Sequence, residues 1–599
     1  MRLQNIIFPS PETCTVEDMY MRRTGGVDFS WAEAVVHMKK NSAIYLDTYF
    51  NSFSIGKWKK YTNIDKVHVS LKFVGKMRIT LIRKERIGKE VLNHYIKEAI
   101  IESEGEEVSL CFDDPYASGI YSVDLFAINN STFYGGYYWS QVAEEKIHKV
   151  KIALDICTFK REHFVKKNME LIQNKVFKQE CYARFKDFME IYIIDNAKTL
   201  DLDEIQIGCV HVFQNKNVGG AGGFTRGLIE IKKEATQTGV THALLMDDDI
   251  VVEPESIFRT WNVLSLLKEE YRDAFVGGAM LRLDHQNIQV ECGAVWNQGE
   301  LIGRKCGLNM CAIEPCLYNE VEETIDYSAW WYTALPISVV KDDNLPIPIF
   351  IRGDDVEYGM RNARRIITMN GICVWHAPFE NKYSSTMFYY ILRNRLIDNA
   401  IHGSVIEKDK FIDILHHQVL EELYLYRYKN AYLLMEGVMD YLKGIDWFKQ
   451  QDGEEIHQKV MENSYKMRYM EDIGAIFDYG AYERAFNEPE ILSLKHRIIK
   501  KLTINGILLK PQRWNVVVPL IGSREINVYR SENVVNYDAL TQKGFITRRE
   551  PEEAKNCLQK LKEVKKLIKD KYDVINTEYQ SRGRELMDIV FWKEYLDCK

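Results

Sequence analysis

An apolar run that ends in three consecutive aspartates constrains the possible fold and function of this chain more than any other segment. Residues 243–246 are apolar and predict a buried strand, and Asp247, Asp248 and Asp249 follow directly. In an extended segment, side chains two positions apart point the same way, so Asp247 and Asp249 can converge on one object. A divalent metal that carries a phosphate group would offset the repulsion among three adjacent carboxylates. The alternative is a solvated acidic turn, and the neighbouring sequence weighs against it.

The aspartates lie in a region where strands and helices alternate. Strands are predicted at residues 152–158, 191–196, 210–213 and 243–246, and the segment 161–188 is predicted to be mostly helical. This order is typical of a doubly wound α/β sheet, in which ligands bind beyond the carboxyl ends of the strands. Polar residues follow each strand, and we expect them to line one crevice: Thr158, Asp195, Asn217 and the aspartate triplet.

A chain of 599 residues is too long for one hydrophobic core, so several domains are expected. Residues 1–150 alternate apolar and polar side chains, with short turns expected at Gly75, Gly88 and Gly105, which predicts a β-sandwich. Residues 151–400 form the predicted α/β domain. Residues 401–599 have apolar residues at helical spacing, for example at 411–426 and 553–568, and a short β insert near 514–520 and 526–536.

Composition excludes some classes of protein. The formal net charge of -7 argues against a nucleic-acid-binding protein, which is usually basic. The sequence has neither an apolar run of about 18 residues nor a signal peptide, so we expect a cytoplasmic protein. The lysines of the last long helix predict a solvated face, with attachment to the inner face of the membrane as the alternative. They are Lys560, Lys562, Lys565, Lys566 and Lys569.

The twelve cysteines contain no CxxC pair. The one cluster is Cys306, Cys311 and Cys316, with Cys292 upstream. Its spacing is unlike that of a zinc ribbon or finger, so reduced thiols are favoured over a metal site.

Residues 217–227, NVGGAGGFTRG, join the third predicted strand to a helix. Glycines such as Gly219 and Gly220 let backbone N–H groups approach a ligand, and the start of a helix favours a phosphate group. The motif is neither a P-loop nor a GxGxxG fingerprint at the first strand. A tight packing turn explains it equally well when it is taken alone. Upstream of the aspartate triplet, it indicates a nucleoside-diphosphate site.

Three further motifs add chemistry. Trp330 and Trp331 are adjacent, and an indole ring can stack on the apolar face of a sugar, although one of the two could pack in the core. Asp354 and Asp355 follow a glycine, where one could act as a general base and the other could cap a helix. His376 ends an apolar stretch, and a neutral imidazole could complete a metal site there or serve the structure alone.

Together these motifs resemble those of inverting, metal-dependent family 2 glycosyltransferases with the GT-A fold, and specifically the bacterial galactofuranosyltransferases that polymerise cell-wall galactan. The motifs that carry the resemblance are Thr158-Phe159-Lys160-Arg161, residues 217–227, Asp247-Asp248-Asp249, Trp330-Trp331, Arg352-Gly353-Asp354-Asp355 and Trp375-His376.

The resemblance implies a UDP-galactofuranose donor, a glycan or glycolipid acceptor, Mn²⁺ or Mg²⁺ as cofactor, and a homo-oligomer. It also implies residue roles: Asp247, Asp249 and His376 as metal ligands; Thr158, Arg161, Asn217, Gly219 and Gly220 with Asp247 against the nucleotide sugar; Trp330 and Trp331 at the sugars; and Asp355, or else Asp354, as the general base.

Other functions stay open at this stage. The same fold could use another nucleotide sugar, as a rhamnosyl- or hexosyltransferase does. A catalytically inactive carbohydrate-binding protein is an alternative from a different class, and the joint presence of Asp247, Asp249, Asp355 and His376 speaks against it. A hydrolase normally needs no metal, because its paired carboxylates flank the bond that is cleaved.

Overall fold

The computed structural model describes residues 1–201, 208–379, 383–474, 480, 482–483 and 494–598. The chain forms two compact units. The first comprises residues 1–297, 301–345 and 358–377, and the second comprises residues 298–300, 346–357 and 378–599. The domain boundaries expected near residues 150 and 400 stay predictions.

The first unit begins with an antiparallel sheet of nine strands. Its strands are β1 (Arg2–Ile6), β2 (Arg22–Thr24), β3 (Val27–Ser30), β4 (Val35–Met38), β5 (Ala43–Tyr45), β6 (Val67–Ile87), β7 (Glu90–Phe112), β8 (Ile120–Ala127) and β9 (Ser131–Ser140), with helix α1 (Ile55–Tyr61) between β5 and β6. Met77, Ile79 and Leu81 are fully buried, whereas Arg78 between them is exposed, as expected for one buried sheet face. The prediction of a β-rich region is confirmed, and its closure as a sandwich stays a prediction.

Two of the three glycines expected in turns lie inside long strands instead. Gly88 does connect β6 to β7, but Gly75 lies within β6 and Gly105 within β7. Both interior glycines have positive φ angles, 111° and 115°. A Cβ atom at position 75 would lie 2.4 Å from the hydroxyl oxygen of Ser131, so only glycine fits there. Here glycine marks an irregularity within a strand, not its end.

The α/β part of the first unit is built on a seven-stranded mixed sheet. The strands that follow β9 are β10 (Ile152–Thr158), β11 (Met189–Asp195), β12 (Val210–Gln214), β13 (His242–Asp247), β14 (Val251–Val252), β15 (Phe275–Gly277), β16 (Ala279–Arg282), β17 (Ile288–Glu291), β18 (Ala294–Asn297), β19 (Glu300–Gly303), β20 (Leu308–Asn309), β21 (Thr333–Pro336), β22 (Ile366–Ile367) and β23 (Cys373–His376). The order of strands in the seven-stranded sheet is β12-β11-β10-β13-β21-β15-β22. Strands β10 to β13 are parallel to one another, and β21 runs antiparallel to β13. The expected α/β sheet is confirmed, and its assignment to the GT-A fold stays a prediction.

The helices of this region are α2 (Glu162–Ile172), α3 (Gly219–Thr238), α4 (Pro254–Leu266) and α5 (Ile313–Asn319). Helix α6 (Asp354–Asn362) begins with residues of the second unit, and its residues from Tyr358 onward belong to the first. The segment 161–188 is less regular than expected, because α2 is followed by a π-helical turn at Gln173–Phe177 and short 3₁₀ turns. Helix α3 packs tightly on β10. A Cβ atom on Gly227 would lie 2.0 Å from a carboxyl oxygen of Asp155, which is fully buried. Burial raises the pKa of Asp155 well above its ordinary value.

A five-stranded sheet, β14-β23-β16-β17-β20, carries the end of the α/β region. Strand β23 pairs in parallel with β16 and antiparallel with β14, which fixes His376 at its carboxyl end. Cys14, Cys292, Cys316 and Cys373 pack in one hydrophobic cluster beside these strands. All twelve cysteines lie among the described residues, and none of them forms a disulfide, as expected for reduced cysteines.

The second unit is mainly helical. Its helices are α7 (Met387–Ile401), α8 (Lys408–Tyr424), α9 (Tyr428–Tyr441), α10 (Ile445–Gln450), α11 (Gly453–Glu462), α12 (Met470–Ile473), α13 (Leu494–Thr503), α14 (Glu525–Val528), α15 (Pro551–Arg582) and α16 (Ile589–Tyr595). Buried residues of α15 recur every three or four positions, including Leu561, Val564, Ile568 and Tyr572, and they join the core of this unit. Within the described residues, no helix combines the length and apolarity that crossing a membrane requires.

The predicted β insert of the second unit is present. It is a four-stranded sheet of β24 (Arg468–Tyr469), β25 (Arg513–Pro519), β26 (Ser531–Asp538) and β27 (Lys543–Arg548), in the order β24-β27-β26-β25. The strand expected at 526–536 begins later than predicted, because α14 and the positive φ of Arg530 precede β26.

Candidate active site

The aspartate triplet and His376 come together in the first unit. Strand β13 ends at Asp247, and Asp248 and Asp249 form the turn that follows. Asp247, Asp249 and His376 each offer a ligand atom, and these atoms lie within 4.8 Å of one another. In the described part of the chain, no other group of three or more His, Cys, Asp or Glu side chains converges in this way. Two carboxylates and an imidazole suit a divalent cation, so the donor set fits Mn²⁺ or Mg²⁺.

The middle aspartate has a different environment from its neighbours. The Thr158 hydroxyl donates to Oδ2 of Asp248 at 2.7 Å, and Nη1 of Arg161 lies 2.9 Å from its Oδ1. The amide of Asn168, on α2, donates to the backbone oxygen of Asp248 at 3.0 Å. Burial raises the pKa of Asp248, and Arg161 and Thr158 partly oppose that rise. Asp248 therefore anchors the turn to β10 and α2.

Arg161 also contacts the candidate metal ligands, because its Nη1 lies 3.0 Å from Oδ2 of Asp249. His376 Nε2 lies 3.3 Å from the other oxygen of Asp249. Burial alone would lower the pKa of Arg161, but the carboxylates of Asp248 and Asp249 raise it above its ordinary value. The pairing of β10 with β13 places Thr158 and Arg161 at this edge.

The glycine-rich segment has two functions in the fold. Gly219 starts α3 with a φ of 73°, and its N–H points to the side-chain oxygen of Asn217 at 3.3 Å. The amide of Asn196 donates to the backbone oxygen of Gly219 at 3.1 Å, which fixes the helix start. Gly223, one turn later, allows close packing, because a Cβ atom there would lie 2.0 Å from the sulfur of Cys157. The start of the helix thus faces the carboxyl edge of the sheet, and its later glycines serve packing.

Asp195 is the last residue of β11, and its expected place in the ligand crevice stays a prediction. Its carboxylate accepts hydrogen bonds from the backbone N–H groups of residues 197–200, at 2.7–2.9 Å. The acid therefore shapes its own loop, as aspartates commonly do in turns.

Both side chains of the tryptophan pair, Trp330 and Trp331, are buried. The Trp330 ring contacts Phe224 and Tyr358 edge to face, at centroid distances of 5.3 and 6.0 Å. The Trp331 indole N–H donates to the backbone oxygen of Gly278 at 3.0 Å. Each is about 95% buried, at 5% and 6% exposure, so contact of either ring with a sugar stays a prediction.

The acid pair, Asp354 and Asp355, belongs to the second unit. Asp354 and Asp355 open helix α6. Asp354 is buried at 8% exposure, whereas Asp355 is half-buried and accepts a hydrogen bond from the N–H of Val356 at 2.8 Å. Asp398 lies nearby, on α7. Its pKa is well above the ordinary value because the side chain is buried and because the carboxylates of Glu357, Asp354 and Asp355 are close to it.

Asn168 and Asn196 also contact the site, and neither was predicted from the sequence. Asn168 lies among the buried apolar residues Val165, Met169 and Ile172 of α2. A polar residue on the apolar face of a helix must find a buried partner, so this position carried a usable signal. Asn196 directly follows Asp195, the last residue of β11, and only the fold shows which of the two contacts the neighbouring glycine-rich segment.

Comparison with known proteins finds similarity to galactofuranosyltransferases. The model of the family "Galactofuranosyltransferase 2 N-terminal" matches residues 3–154. Galactofuranosyltransferase GlfT2 of Mycolicibacterium smegmatis is 25% identical over 406 residues, which cover 60% of this chain and 58% of that protein. Galactofuranosyltransferase GlfT2 of Mycobacterium tuberculosis is 24% identical over 488 residues, covering 74% of this chain and 72% of that protein. The resemblance to bacterial polymerising galactofuranosyltransferases is thereby confirmed.

Among solved structures, a mannosyltransferase from Pyrobaculum calidifontis, in complex with GDP-Man and Mn²⁺, is 13% identical and covers 54% of this chain and 82% of that chain. The TM-score of 0.27 is too low for this likeness to define the fold. The alignment with the first mycobacterial relative spans less than two thirds of that protein's length.

Proposed function

We propose that this chain is an inverting, metal-dependent glycosyltransferase that moves galactofuranose from UDP-galactofuranose to a hydroxyl group of a glycan or glycolipid acceptor. One observation carries the proposal: Asp247, Asp249 and His376, from two distant parts of the sequence, bring their ligand atoms within 4.8 Å of one another. The sequence resemblance to galactofuranosyltransferases supports the choice of donor.

Asp247, Asp249 and His376 are the residues that would hold Mn²⁺ or Mg²⁺. When bound, the cation would offset the charge that develops on the leaving diphosphate, as a Lewis acid does. Arg161 and Thr158 keep Asp248 in place, which fixes the positions of Asp247 and Asp249 on either side of it. The N–H groups at the start of α3, around Gly219 and Gly220, would bind the nucleotide together with Asn217. Trp330 and Trp331 would border the sugars.

The chain's role in the chemical step is to remove a proton. Asp355 would take the proton from the acceptor hydroxyl as that oxygen attacks the anomeric carbon, and UDP would leave from the opposite side. The greater exposure of Asp355 supports it over Asp354, because a general base must reach its substrate. A single displacement without a protein nucleophile inverts the configuration. Positioning and charge stabilisation would supply most of the acceleration.

The test is a donor panel. The full-length chain is incubated with Mn²⁺, a short galactofuranose acceptor and, in separate reactions, UDP-galactofuranose, UDP-galactopyranose, UDP-glucose and dTDP-rhamnose. We expect product masses to increase by hexose steps with UDP-galactofuranose alone. A chelator should stop transfer, and added Mn²⁺ should restore it. The anomeric configuration of the product, read by NMR, tests inversion.

Two outcomes would contradict the proposal. Transfer from another nucleotide sugar would contradict the assignment of UDP-galactofuranose as donor and leave the proposed transfer reaction standing. No transfer from any donor, together with binding of the acceptor, would favour an inactive carbohydrate-binding protein.

Two proposed partners depend on the second unit. Lys562, Lys566 and Lys569 are exposed on α15. Ile498 and Leu502, four residues apart on α13, are 52% and 73% exposed. Basic and apolar groups on surface helices support contact with an anionic membrane surface. Formation of a homo-oligomer stays a prediction from the resemblance.

A further inference from the structure

The loop that leads into the acid pair has an unusual backbone. Phe350, Arg352 and Gly353 have positive φ angles of 74°, 68° and 103°. The N–H of Ile351 donates to the backbone oxygen of Ile349 at 3.0 Å, which closes a three-residue turn around Phe350. A turn of this kind with a positive φ at its centre is the rare, strained form of the γ-turn. Such strain persists only where surrounding contacts fix the backbone, and it concentrates at functional sites.

Asn394, on helix α7, supplies much of that fixation. Its amide nitrogen lies 2.8 Å from the backbone oxygens of both Ile351 and Arg352, and 3.3 Å from that of Ile349. Its side-chain oxygen accepts a hydrogen bond from Nε of Arg393 at 2.9 Å. This bond sets the orientation of the amide, so that both N–H hydrogens face the loop. Asn394 is 2% exposed, so water does not compete for these bonds.

Neighbouring groups hold the rest of the loop. Nη2 of Arg393 donates to the backbone oxygen of Ile349 at 2.7 Å. The buried ring of Phe350 stacks on His457 and Tyr390, at centroid distances of 4.8 and 5.9 Å. A Cβ atom at Gly353 would lie 2.6 Å from Oδ2 of Asp398, so a larger residue would push the loop away from α7.

We propose that Asn394 is a positioning residue for the general base. Its amide gathers three backbone oxygens of the strained loop, and so sets where α6 begins and where the Asp355 carboxylate lies. The inference rests on the proposed function, because it assigns Asp355 the role of base. A base displaced by about 1 Å can lose about 10²-fold in rate, so a residue behind the loop can control the chemical step without touching substrate.

The test compares Asn394→Leu, Asp355→Asn and the double variant, using the donor that the wild-type protein transfers. Leucine keeps the size of the side chain and removes the donor group. We expect Asn394→Leu to lower kcat by about 10²-fold, with unchanged KM for the donor and unchanged affinity for UDP with Mn²⁺. The double variant should be no slower than Asp355→Asn alone, because a residue that acts through the base has no effect once the base is gone. Losses that multiply would overturn the inference.

Asn399→Leu is the matched control. Asn399 is also a buried asparagine on α7, and its side-chain oxygen accepts a hydrogen bond from the Ser404 hydroxyl at 3.2 Å. We expect Asn399→Leu to lower thermal stability without changing kcat. An equal loss of kcat in both asparagine variants would assign the effect to general damage of the helix and overturn the inference.

The remaining outcomes separate the inference from the proposed function. Wild-type kcat in Asn394→Leu, with Asp355→Asn inactive, would sink the inference and leave the function standing. A wild-type protein that transfers no sugar would sink both. Should Asn394→Leu fail to fold, Asn394→Asp replaces the amide NH₂ alone by oxygen, and the same comparison with Asp355→Asn decides.

Discussion

Glu253 offers a quantitative test of the electrostatics around the candidate site. It follows β14, which pairs with the strand that ends in His376, and it is 8% exposed. Burial, together with the neighbouring Glu255 carboxylate, raises the pKa of Glu253 from 4.5 to about 7. The folded chain therefore binds this proton more tightly than the unfolded chain. The stability that the proton confers is complete below about pH 4.5 and is lost as the pH rises through about 7.

The size of the effect follows from these two values. The interval from 4.5 to about 7 corresponds to about 3 kcal/mol, at 1.36 kcal/mol per pH unit. Glu253→Gln keeps the shape of the side chain and cannot ionise. We expect the variant to gain about 3 kcal/mol relative to the wild-type protein between about pH 4.5 and about pH 8.

Urea unfolding followed by tryptophan fluorescence measures this gain at several pH values. Glu104→Gln, which removes an exposed carboxylate from β7, is the control and should leave the pH dependence of the free energy of unfolding unchanged. Equal pH dependence in Glu253→Gln and the wild-type protein would refute the reasoning, because Glu253 would then be ionised in the folded chain at neutral pH.

Three further outcomes are expected. Asp249→Ala should fold but lose metal-dependent turnover and Mn²⁺ binding by calorimetry, and wild-type transfer would refute its role as a ligand. Asp355→Asn should keep the affinity for UDP-galactofuranose and lose about 10²-fold or more in transfer rate, whereas near-normal transfer would move the base elsewhere. Gly227→Ala should destabilise the fold by about 1–3 kcal/mol in urea unfolding, because the added Cβ overlaps Asp155. Gly208→Ala meets no atom within 4 Å and is the control; equal stability of the two variants would contradict the packing argument.

The strands of the α/β sheet could be predicted because their sequences carry the signal themselves. Residues 152–158 and 191–196 are short apolar runs that end in polar residues; β10 coincides with the first run and β11 overlaps the second. The same pattern placed Thr158 and Asp247 at one edge, because parallel neighbours end together. His376 could be proposed as a partner of the aspartates, but its distance from them depends on the pairing of β23 with β14 and β16.

Other features depend on contacts between distant residues, which periodicity does not report. Gly75 suggested a turn, yet the chain continues through it as one strand because Ser131 fills the space of its missing side chain. Asn394 looks like an ordinary polar residue of a helix, and its role follows only from the three backbone oxygens that the fold brings to it. The positive φ angles of Phe350 and Arg352 could not be predicted from the sequence either, because bulky residues rarely adopt such angles.

The bonds that Asp248 makes to Thr158, Arg161 and Asn168 have a consequence for affinity. They link the aspartate turn to a strand and a helix through protein atoms alone, so the shape of the turn is a property of the folded chain. Ordering flexible side chains around a cation costs conformational entropy. Where the fold already fixes the turn, that entropy is lost when the chain folds and not when the cation binds. Loosening Asp248 should therefore weaken the proposed binding of a cation, although Asp247 and Asp249 keep their ligand atoms.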